Sequence, residues 1–398
     1  MEKKLMVLGA GFPQKNLIEA AKQLGYKTVV ASIPGNYPGF AAADEISYTD
    51  ITNPEEILKA ATDFKIDGIA TCCIDLGIRS LGYVCEKLGL VGLNADAADR
   101  CNNKQLMKRS FREHNVNTAL FFEVKNDREI AEAMKSLSYP VVLKAVDLQG
   151  SNGVYICHNE EELNEAYEEV RELSKVDYFV LEEFISGIEL GAQAFVYKGE
   201  ILFILPHGDN TYMSHTAIPV GHYVPLDLTP EQKQSVITEC EKAIRSLGLD
   251  NCAVNIDLIM KDGKVYLLEL TGRAGATCLP ELVSIYYGID YYKMIVLLAM
   301  GEDPAIYFKQ GEHGNVANAS RMLFSPKSGK VRKISIPADF LNADDIYDLS
   351  LIIEEGDQVN EFTTAKDRIG QVIVKGSDYA TCERRIQEVI TGIQLDIQ

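Results

Sequence analysis

Residues 253–277, AVNIDLIMKDGKVYLLELTGRAGAT, restrict the folds open to this chain more than any other stretch. They read as two apolar strands around a turn, with Asp257 inside the first strand and Glu269 near the end of the second. A bare carboxylate within an apolar sheet is costly unless a positive charge compensates it. A divalent cation compensates two at once, and Mg²⁺ commonly binds through one or two carboxylates plus substrate phosphates. Arg273 follows closely and puts a cation where a phosphate would lie. The reading depends on register, because side chains alternate along a strand and a one-residue slip reverses them all. A two-residue Asp262-Gly263 turn pairs Asp257 with Leu268 and sends Glu269 to the other face. A three-residue loop, Lys261-Asp262-Gly263 with Gly263 left-handed in a bulge, pairs Met260 with Lys264 and leaves Asp257 diagonal to Glu269 on one face. The three-residue loop is the expectation. An exposed hairpin edge with scattered charges is the alternative.

Composition narrows the class. A chain of 398 residues suggests two or three domains at ~150 residues each. The net charge of −19, from 39 basic and 58 acidic residues, argues against a nucleic-acid surface. It also argues against docking on anionic lipid. Anions must then be met in local basic or backbone-lined pockets. Nine cysteines lack metal-ligand spacing, Cys72-Cys73 being adjacent, and read as free thiols of a reducing, cytoplasmic compartment. The start, MEKKLMVLGAG, reads as a short charged lead into a strand, and no run approaches ~18 apolar residues, so no membrane span is expected.

The chain opens as a βαβ unit, with an apolar run at 4–9, a helix at 16–24 and a strand at 27–32. Gly9 and Gly11 begin a dinucleotide fingerprint, but Gln14 stands where its third glycine belongs, so a tight strand-to-helix turn is the better reading. A helix at 54–61, a strand at 68–73, a helix at 78–88 and a short strand at Leu90-Val91 continue the alternation, which means a doubly wound parallel sheet. Ligands bind such sheets at the carboxyl ends of strands, which makes Asp75 a candidate edge of the site. One long basic helix is expected over 99–114, with Lys104 and Lys108 on a shared face.

Lys144 ends an apolar strand, and Ser151, Asn152, Gly153 and Val154 lie in or beside the glycine-bounded loop after it. Such a loop can fold its N–H groups around phosphate oxygens. The run Glu182-Glu183-Phe184-Ile185 ends a buried strand with two acids. A purine suits it: a backbone carbonyl accepts from the base, a backbone N–H donates to it, and Glu189 takes two ribose hydroxyls. Residues 206–225 read as an irregular polar loop carrying His207, His215 and His222. Long loops of this kind are often functional, and this one is expected to line an acceptor pocket, with Gly275 a further candidate. Thr229 caps a helix at 231–247, an apolar helical stretch runs from 280 to 300, and 301–314 reads as a linker. The remainder is a small α+β domain with a strand at 371–375 and a helix at 379–393.

Taken together, these residues resemble the ATP-grasp superfamily. The resemblance rests on an ordered set: Lys104, Lys144, the Gly150–Gly153 loop, Glu182 to Ile185, Glu189, Asp257, and Glu269 with Thr271 and Arg273. It implies that Lys104 and Lys144 hold the α/β phosphates of ATP while the glycine loop closes over them. The Glu183 carbonyl and the Ile185 N–H would read adenine, and Glu189 would hold the ribose. Asp257 and Glu269 would carry two Mg²⁺ (or Mn²⁺) ions, and Arg273 would brace the transferred phosphoryl group. The family usually has asparagine where Thr271 stands, so either water completes the metal shell or the second metal is lost.

The resemblance also implies a multidomain α/β and α+β architecture. It comprises an N-terminal doubly wound βαβ domain (1–98), an ATP-grasp domain (99–310, lid about 115–182) and a small C-terminal α+β domain (311–398). The two ends resemble the L-amino acid ligase and carboxylate–amine ligase group, with an architecture similar to biotin carboxylase. The implied reaction is ADP-forming ligation of a carboxylate to an amine through an acyl phosphate, with an amino acid as one substrate and a homodimer as the assembly. The alternatives are a bicarbonate-activating carboxylase or carbamoyl-phosphate-synthase-like enzyme, and a nucleotide-binding protein without turnover.

Overall fold

The N-terminal alternation of strand and helix closes into a four-stranded parallel sheet, ordered β3-β2-β1-β4. Its strands are β1 (Lys4–Leu8), β2 (Lys27–Ser32), β3 (Glu45–Tyr48) and β4 (Gly68–Ala70). Leu5 to Leu8 are completely buried, as an unbroken apolar run in a parallel sheet requires. The expected strand at Leu90-Val91 is absent, because those residues lie in the bend after the helix Ile78–Leu88. Glu45–Tyr48, a short run with polar ends that periodicity passes over, takes the sheet edge instead. Gln14 is buried and donates its side-chain amide to the Cys72 carbonyl. It fills the space that a third glycine would leave open, so the β1 turn is the tight connection expected.

In this computed structural model, which describes residues 2–148, 153–213 and 217–398, the chain divides into two compact units. The first unit comprises Met1–Ile204, Leu228–Ala274 and Tyr292–Ile306. It contains a second, antiparallel sheet of β5 (Phe121–Val124), β6 (Val141–Ala145), β7 (Val154–Cys157) and β8 (Phe179–Glu183), ordered β5-β8-β6-β7. The helix Glu160–Leu173 covers it through Leu163, Ala166, Tyr167 and Val170. Four further strands are β9 (Ile188–Tyr197), β10 (Glu200–Met213, in this unit as far as Ile204), β12 (Cys252–Lys261) and β13 (Lys264–Thr271), the label β11 belonging to Ala217–Val224 in the second unit. Their order is β13-β12-β9-β10.

The hairpin β12–β13 corrects the expected loop and keeps its consequence. Lys261 pairs with Lys264 across a two-residue turn in which Asp262 and Gly263 both have positive φ (52° and 75°). This is the mirror-image turn that matches strand twist. The ladder then shifts at Leu258, where Leu267 is the partner, so that Asp257 faces Glu269 directly and Leu268 is the extra residue. A bulge thus restores the shared face that a regular two-residue hairpin would have lost. Leu268 packs toward Ala119, Ile185 and Ile259. The neighbouring Leu267 is held from the opposite edge, its N–H donating to the Asn117 carbonyl at 2.8 Å and its carbonyl accepting from Thr118 Oγ1 at 2.8 Å.

The basic stretch is two helices, Ala95–Asn102 and Lys104–Glu113, rather than one. Asn103 breaks it with extended backbone (φ −124°, ψ 107°) and caps the second helix, its side chain accepting from the N–H groups of Gln105 and Leu106. Asn103 also donates to the Tyr178 hydroxyl at 3.0 Å. The break puts Lys104 at the first position of the new helix. The apolar stretch at 280–300 is likewise two helices, Leu279–Tyr287 and Tyr291–Ala299, with left-handed Gly288 ending the first. The expected linker contains the helix Pro304–Lys309. No single helix among the described residues is long and apolar enough to cross a membrane.

The second unit comprises Leu205–Asp227, Gly275–Tyr291 and Tyr307–Gln398. Residues 206–213 and 217–224 are not a loop here: they form the end of β10 and β11 (Ala217–Val224). Counting apolar alternation misses them, because the buried positions His207 and His222 are polar. The sheet of this unit runs from the end of β10 through β11, β14 (Ala317–Phe324), β18 (Arg368–Gly376) and β16 (Ile346–Leu351). A small sheet is ordered β17-β15-β19, from β15 (Gly329–Ser335), β17 (Gln358–Val359) and β19 (Gln394–Ile397). The helix Tyr379–Gly392 packs Cys382, Ile386 and Val389 on β14 and β18, giving the expected α+β fold.

Asn103→Ala is expected to cost ~1 kcal/mol through loss of the cap. Urea unfolding checks this, and an unchanged midpoint would show that the cap is not what starts the Lys104 helix.

Candidate active site

Asp257 and Glu269 are register partners on β12 and β13, so their side chains share one sheet face. Asp257 is exposed and Glu269 partly buried. Behind them lies a short amide chain: Gln193 Nε2 donates to Asn255 Oδ1 at 2.6 Å, and Asn255 Nδ2 donates to Asp257 Oδ1 at 3.1 Å. Gln193 is fully buried and Asn255 nearly so, which fixes the Asp257 carboxylate. Asn255 is also the register partner of buried Thr271. The amide missing at position 271 therefore has a counterpart directly across the ladder. Two carboxylates directly opposite each other repel. The geometry and the all-oxygen donors fit a hard divalent cation such as Mg²⁺.

Four cations are gathered in the same unit, each tied to an acid. Lys104 Nζ lies 3.6 Å from Glu269 Oε1 and donates to the Leu148 carbonyl at 2.6 Å, so it joins the acid pair to the chain entering the glycine loop. Lys144 and Lys108 both pair with Glu182, Lys108 at 2.7 Å. Glu182 sits on β8 opposite Val142, diagonal to Lys144 on β6. Lys108 is only 2 % exposed and also donates to Thr118 Oγ1 at 2.6 Å. Burial alone would raise the Glu182 carboxyl, but Lys108 and then Lys144 outweigh it and hold it down at about 2. Arg273 grips Asp75 with two parallel bonds, Nε to Oδ1 at 2.6 Å and Nη2 to Oδ2 at 2.8 Å. Burial would raise the Asp75 carboxyl, but Arg273, with help from Lys104, holds it below the usual range. The Cys73 N–H bonds the Ala274 carbonyl at 3.0 Å, so the loop after β4 is fastened beside Arg273.

The segment from Glu183 to Gly187 crosses β12 closely. A Cβ on Gly187 would sit 2.5 Å from the Met260 carbonyl, so only glycine fits. The Glu183 N–H continues the ladder to the Leu120 carbonyl, but the Leu120 N–H goes to the Glu183 carboxylate at 2.8 Å instead of its carbonyl. Ile185 is buried against Ala119, Ile259, Tyr266 and Leu268, an apolar patch beside the acid pair. Glu189, at the start of β9, is exposed and pairs in register with Ile259. Gly153, left-handed, and Val154 lead into β7, with the Ala145 N–H bonding the Gly153 carbonyl.

Thus Lys104, Lys144, Glu182, Asp257, Glu269, Asp75 and Arg273 are brought into contacts centred on the hairpin and its neighbours. Ser151, Asn152 and His215 lie outside the described residues. His207 and His222 fall on strands of the second unit, where buried Gly275 also belongs. Sequence reasoning missed the roles of Lys108, Asn255 and Gln193. The spacing of Lys104 and Lys108 was a signal for the first; no pattern marked the two amides. None of the nine cysteines is in a disulfide, and eight are buried. Burial pushes the Cys85 and Cys101 thiols up to about 12, which leaves them chemically quiet.

Comparison with known proteins agrees with this fold. Residues 137–281 match the ATP-grasp domain and residues 321–398 match the L-amino acid ligase C-terminal domain 2. The solved phosphoribosylglycinamide synthetase of Anaerococcus prevotii is 46 % identical, with complete coverage of both chains and a TM-score of 0.88. The L-amino acid ligase of Bacillus licheniformis shares the fold at 20 % identity, covering 100 % of this chain and 99 % of that one, with a TM-score of 0.83. Among curated proteins, the alanine–anticapsin ligase of Bacillus subtilis is 26 % identical over 274 residues, 63 % of this chain and 57 % of that protein. The matched segment therefore spans little more than half the length of those curated relatives. The chain belongs to the ATP-grasp family. This is a family of ADP-forming ligases that use ATP with Mg²⁺ or Mn²⁺.

Glu182→Gln should cost ~3–5 kcal/mol, because it strands the buried Lys108 charge. The Glu182 carboxyl is held below its ordinary 4.5 in the folded state. Its contribution is therefore full above about 4.5 and disappears as pH falls toward about 2. Denaturant titrations of both proteins at neutral and acidic pH check this, and a gap between them that does not shrink on acidification would contradict it.

Proposed function

We propose that the chain catalyses ATP-dependent ligation of an amino acid carboxylate to an amine, forming an amide or peptide bond and releasing ADP and phosphate. The observation that carries this reading is the Asp257–Glu269 register pair with Lys104 upon it. The amino acid preference draws support from the match to the L-amino acid ligase C-terminal domain. Two relatives, by name an alanine–anticapsin ligase and a phosphoribosylglycinamide synthetase, support it further.

In this reading Lys104 and Lys144 hold the α/β phosphates of ATP. Lys108 and Lys144 share a single carboxylate, so their group keeps a net positive charge for an anion. The Glu183 carbonyl and the Ile185 N–H address the adenine, whose faces suit the patch of Ala119, Ile185, Ile259 and Leu268. Glu189 takes the ribose, and Ser151, Asn152, Gly153 and Val154 cover the phosphates. Asp257 and Glu269, backed by Asn255 and Thr271, would hold Mg²⁺, which neutralises phosphate charge there.

The substrate carboxylate oxygen attacks the γ-phosphorus, the bond to ADP breaks, and an acyl phosphate forms. The amine nitrogen then attacks the carbonyl carbon, phosphate departs, and the amine loses a proton. This chain's contribution is positioning and charge neutralisation. Arg273 steadies the phosphoryl group and the oxyanion that develops, and Asp75 orients Arg273. Exclusion of water by the covering loop protects the acyl phosphate from hydrolysis.

Release of phosphate from ATP should require an amino acid, tested across the amino acids with and without an added amine. Release with bicarbonate alone would point to the bicarbonate-activating alternative, and ATP binding without any release would point to a non-catalytic protein. Glu269→Ala should abolish release, and Lys144→Ala should weaken ATP binding. Arg273→Ala should lower kcat by ~10²–10³-fold with little change in KM for ATP, because its charge partner develops only in the transition state. Equal loss of affinity and turnover would remove Arg273 from that role.

A further inference from the structure

His207, Asp209 and His222 form a second polar cluster, in the second unit. His207 and Asp209 are two residues apart on β10 and so share a face. His222 on β11 is the register partner of Asp209 and joins them. Both imidazoles aim Nδ1 at a single oxygen, Asp209 Oδ1, at 2.9 Å from His207 and 2.6 Å from His222. The rings meet edge to face with centroids 5.1 Å apart. His207 is 2 % exposed and His222 5 %. One ligand atom from each of the three residues lies within 4.8 Å of the other two.

Hydrogen bonding leaves this cluster incomplete. His207 Nε2 is buried and finds no partner among the described residues. Burying an unpartnered polar atom is costly, but Nε2 is not the ring nitrogen that faces Asp209, so the donors turned toward a shared cation are the two Nδ1 atoms and Asp209 Oδ1. The strands that carry the cluster are held in place. The His222 N–H donates to Ser320 Oγ at 3.2 Å, and a Cβ on Gly221 would lie 2.2 Å from the Ser320 carbonyl, so β11 lies hard against β14.

We propose that His207, Asp209 and His222 bind a borderline divalent transition cation of the Zn²⁺ or Co²⁺ type. Two imidazoles and one carboxylate are the donors such ions prefer, whereas Mg²⁺ and Ca²⁺ favour oxygen alone. Three protein ligands also leave a position open for water or a bound small molecule. Metal–ligand bonds of ~2.0–2.2 Å space tetrahedral donors roughly 3.3 Å apart. Entry of the ion would therefore displace the protons shared with Asp209 and open the cluster by about half an ångström. In donor chemistry the site is separate from the all-oxygen pair Asp257 and Glu269.

The test is a Co²⁺ titration of the chelator-stripped full-length protein in excess Mg²⁺, followed by visible absorption. A single equivalent with ligand-field bands is expected. Glu269→Gln should leave these bands in place, while His222→Gln and Asp209→Asn should each weaken binding at least ~10-fold. No visible bands, bands unchanged in both cluster variants, or bands lost with Glu269→Gln would overturn the proposal. Should the variants fail to fold, wild-type crystals soaked with Zn²⁺ and measured at the zinc absorption edge decide the matter. An anomalous peak within bonding distance of both imidazoles supports the site, and its absence there refutes it.

Discussion

The arrangement depends on one cross-strand contact that would be unfavourable by itself. Asp257 and Glu269 stand opposite each other on β12 and β13. Like charges in that position repel. The hairpin reaches the pairing only through an irregularity, the extra residue at Leu268, which a tight Asp262-Gly263 turn makes necessary. Surrounding contacts hold that irregularity. Leu268 enters an apolar cluster, Leu267 is bonded to residues 117–118 on its outer edge, and Gln193 and Asn255 anchor Asp257 from behind. Such convergence of supports on two acids makes sense for a cation-binding pair and little sense for a solvated edge.

The cations follow the same pattern. In a chain of net charge −19, Lys104, Lys108, Lys144 and Arg273 are each held by a carboxylate. Buried ion pairs seldom add much net stability, since desolvation offsets their attraction. Their value here is positional. Glu182 fixes two ammonium groups on different elements, and Asp75 fixes the plane of the Arg273 guanidinium. A site whose charges are oriented beforehand does not have to reorganise during phosphoryl transfer.

Much of this was legible in the amino-acid sequence, because the decisive residues break a pattern. Asp257 and Glu269 interrupt apolar strands, Lys144 ends one, and Glu182 and Glu183 close another. The parallel N-terminal sheet and the C-terminal α+β fold followed from periodicity. What stayed hidden depended on tertiary context. The bulge at Leu268 answers to contacts with residues 117–118 and 185, which no local rule contains. Lys108 stood beside Lys104 on the expected basic helix, and only the fold reveals that Glu182 reaches it. Asn103 caps a second helix inside a stretch that reads as one. His207, Asp209 and His222 read as part of a loop in the sequence, since a strand with a polar buried face gives no apolar alternation.

The most direct test of the central pairing is electron paramagnetic resonance of Mn²⁺ titrated into the protein with and without ADP. An ADP-dependent bound-Mn²⁺ signal is expected in the wild type, with its loss in both Asp257→Asn and Glu269→Gln. An ADP-dependent signal of equal size in either variant would contradict a shared cation between these two carboxylates.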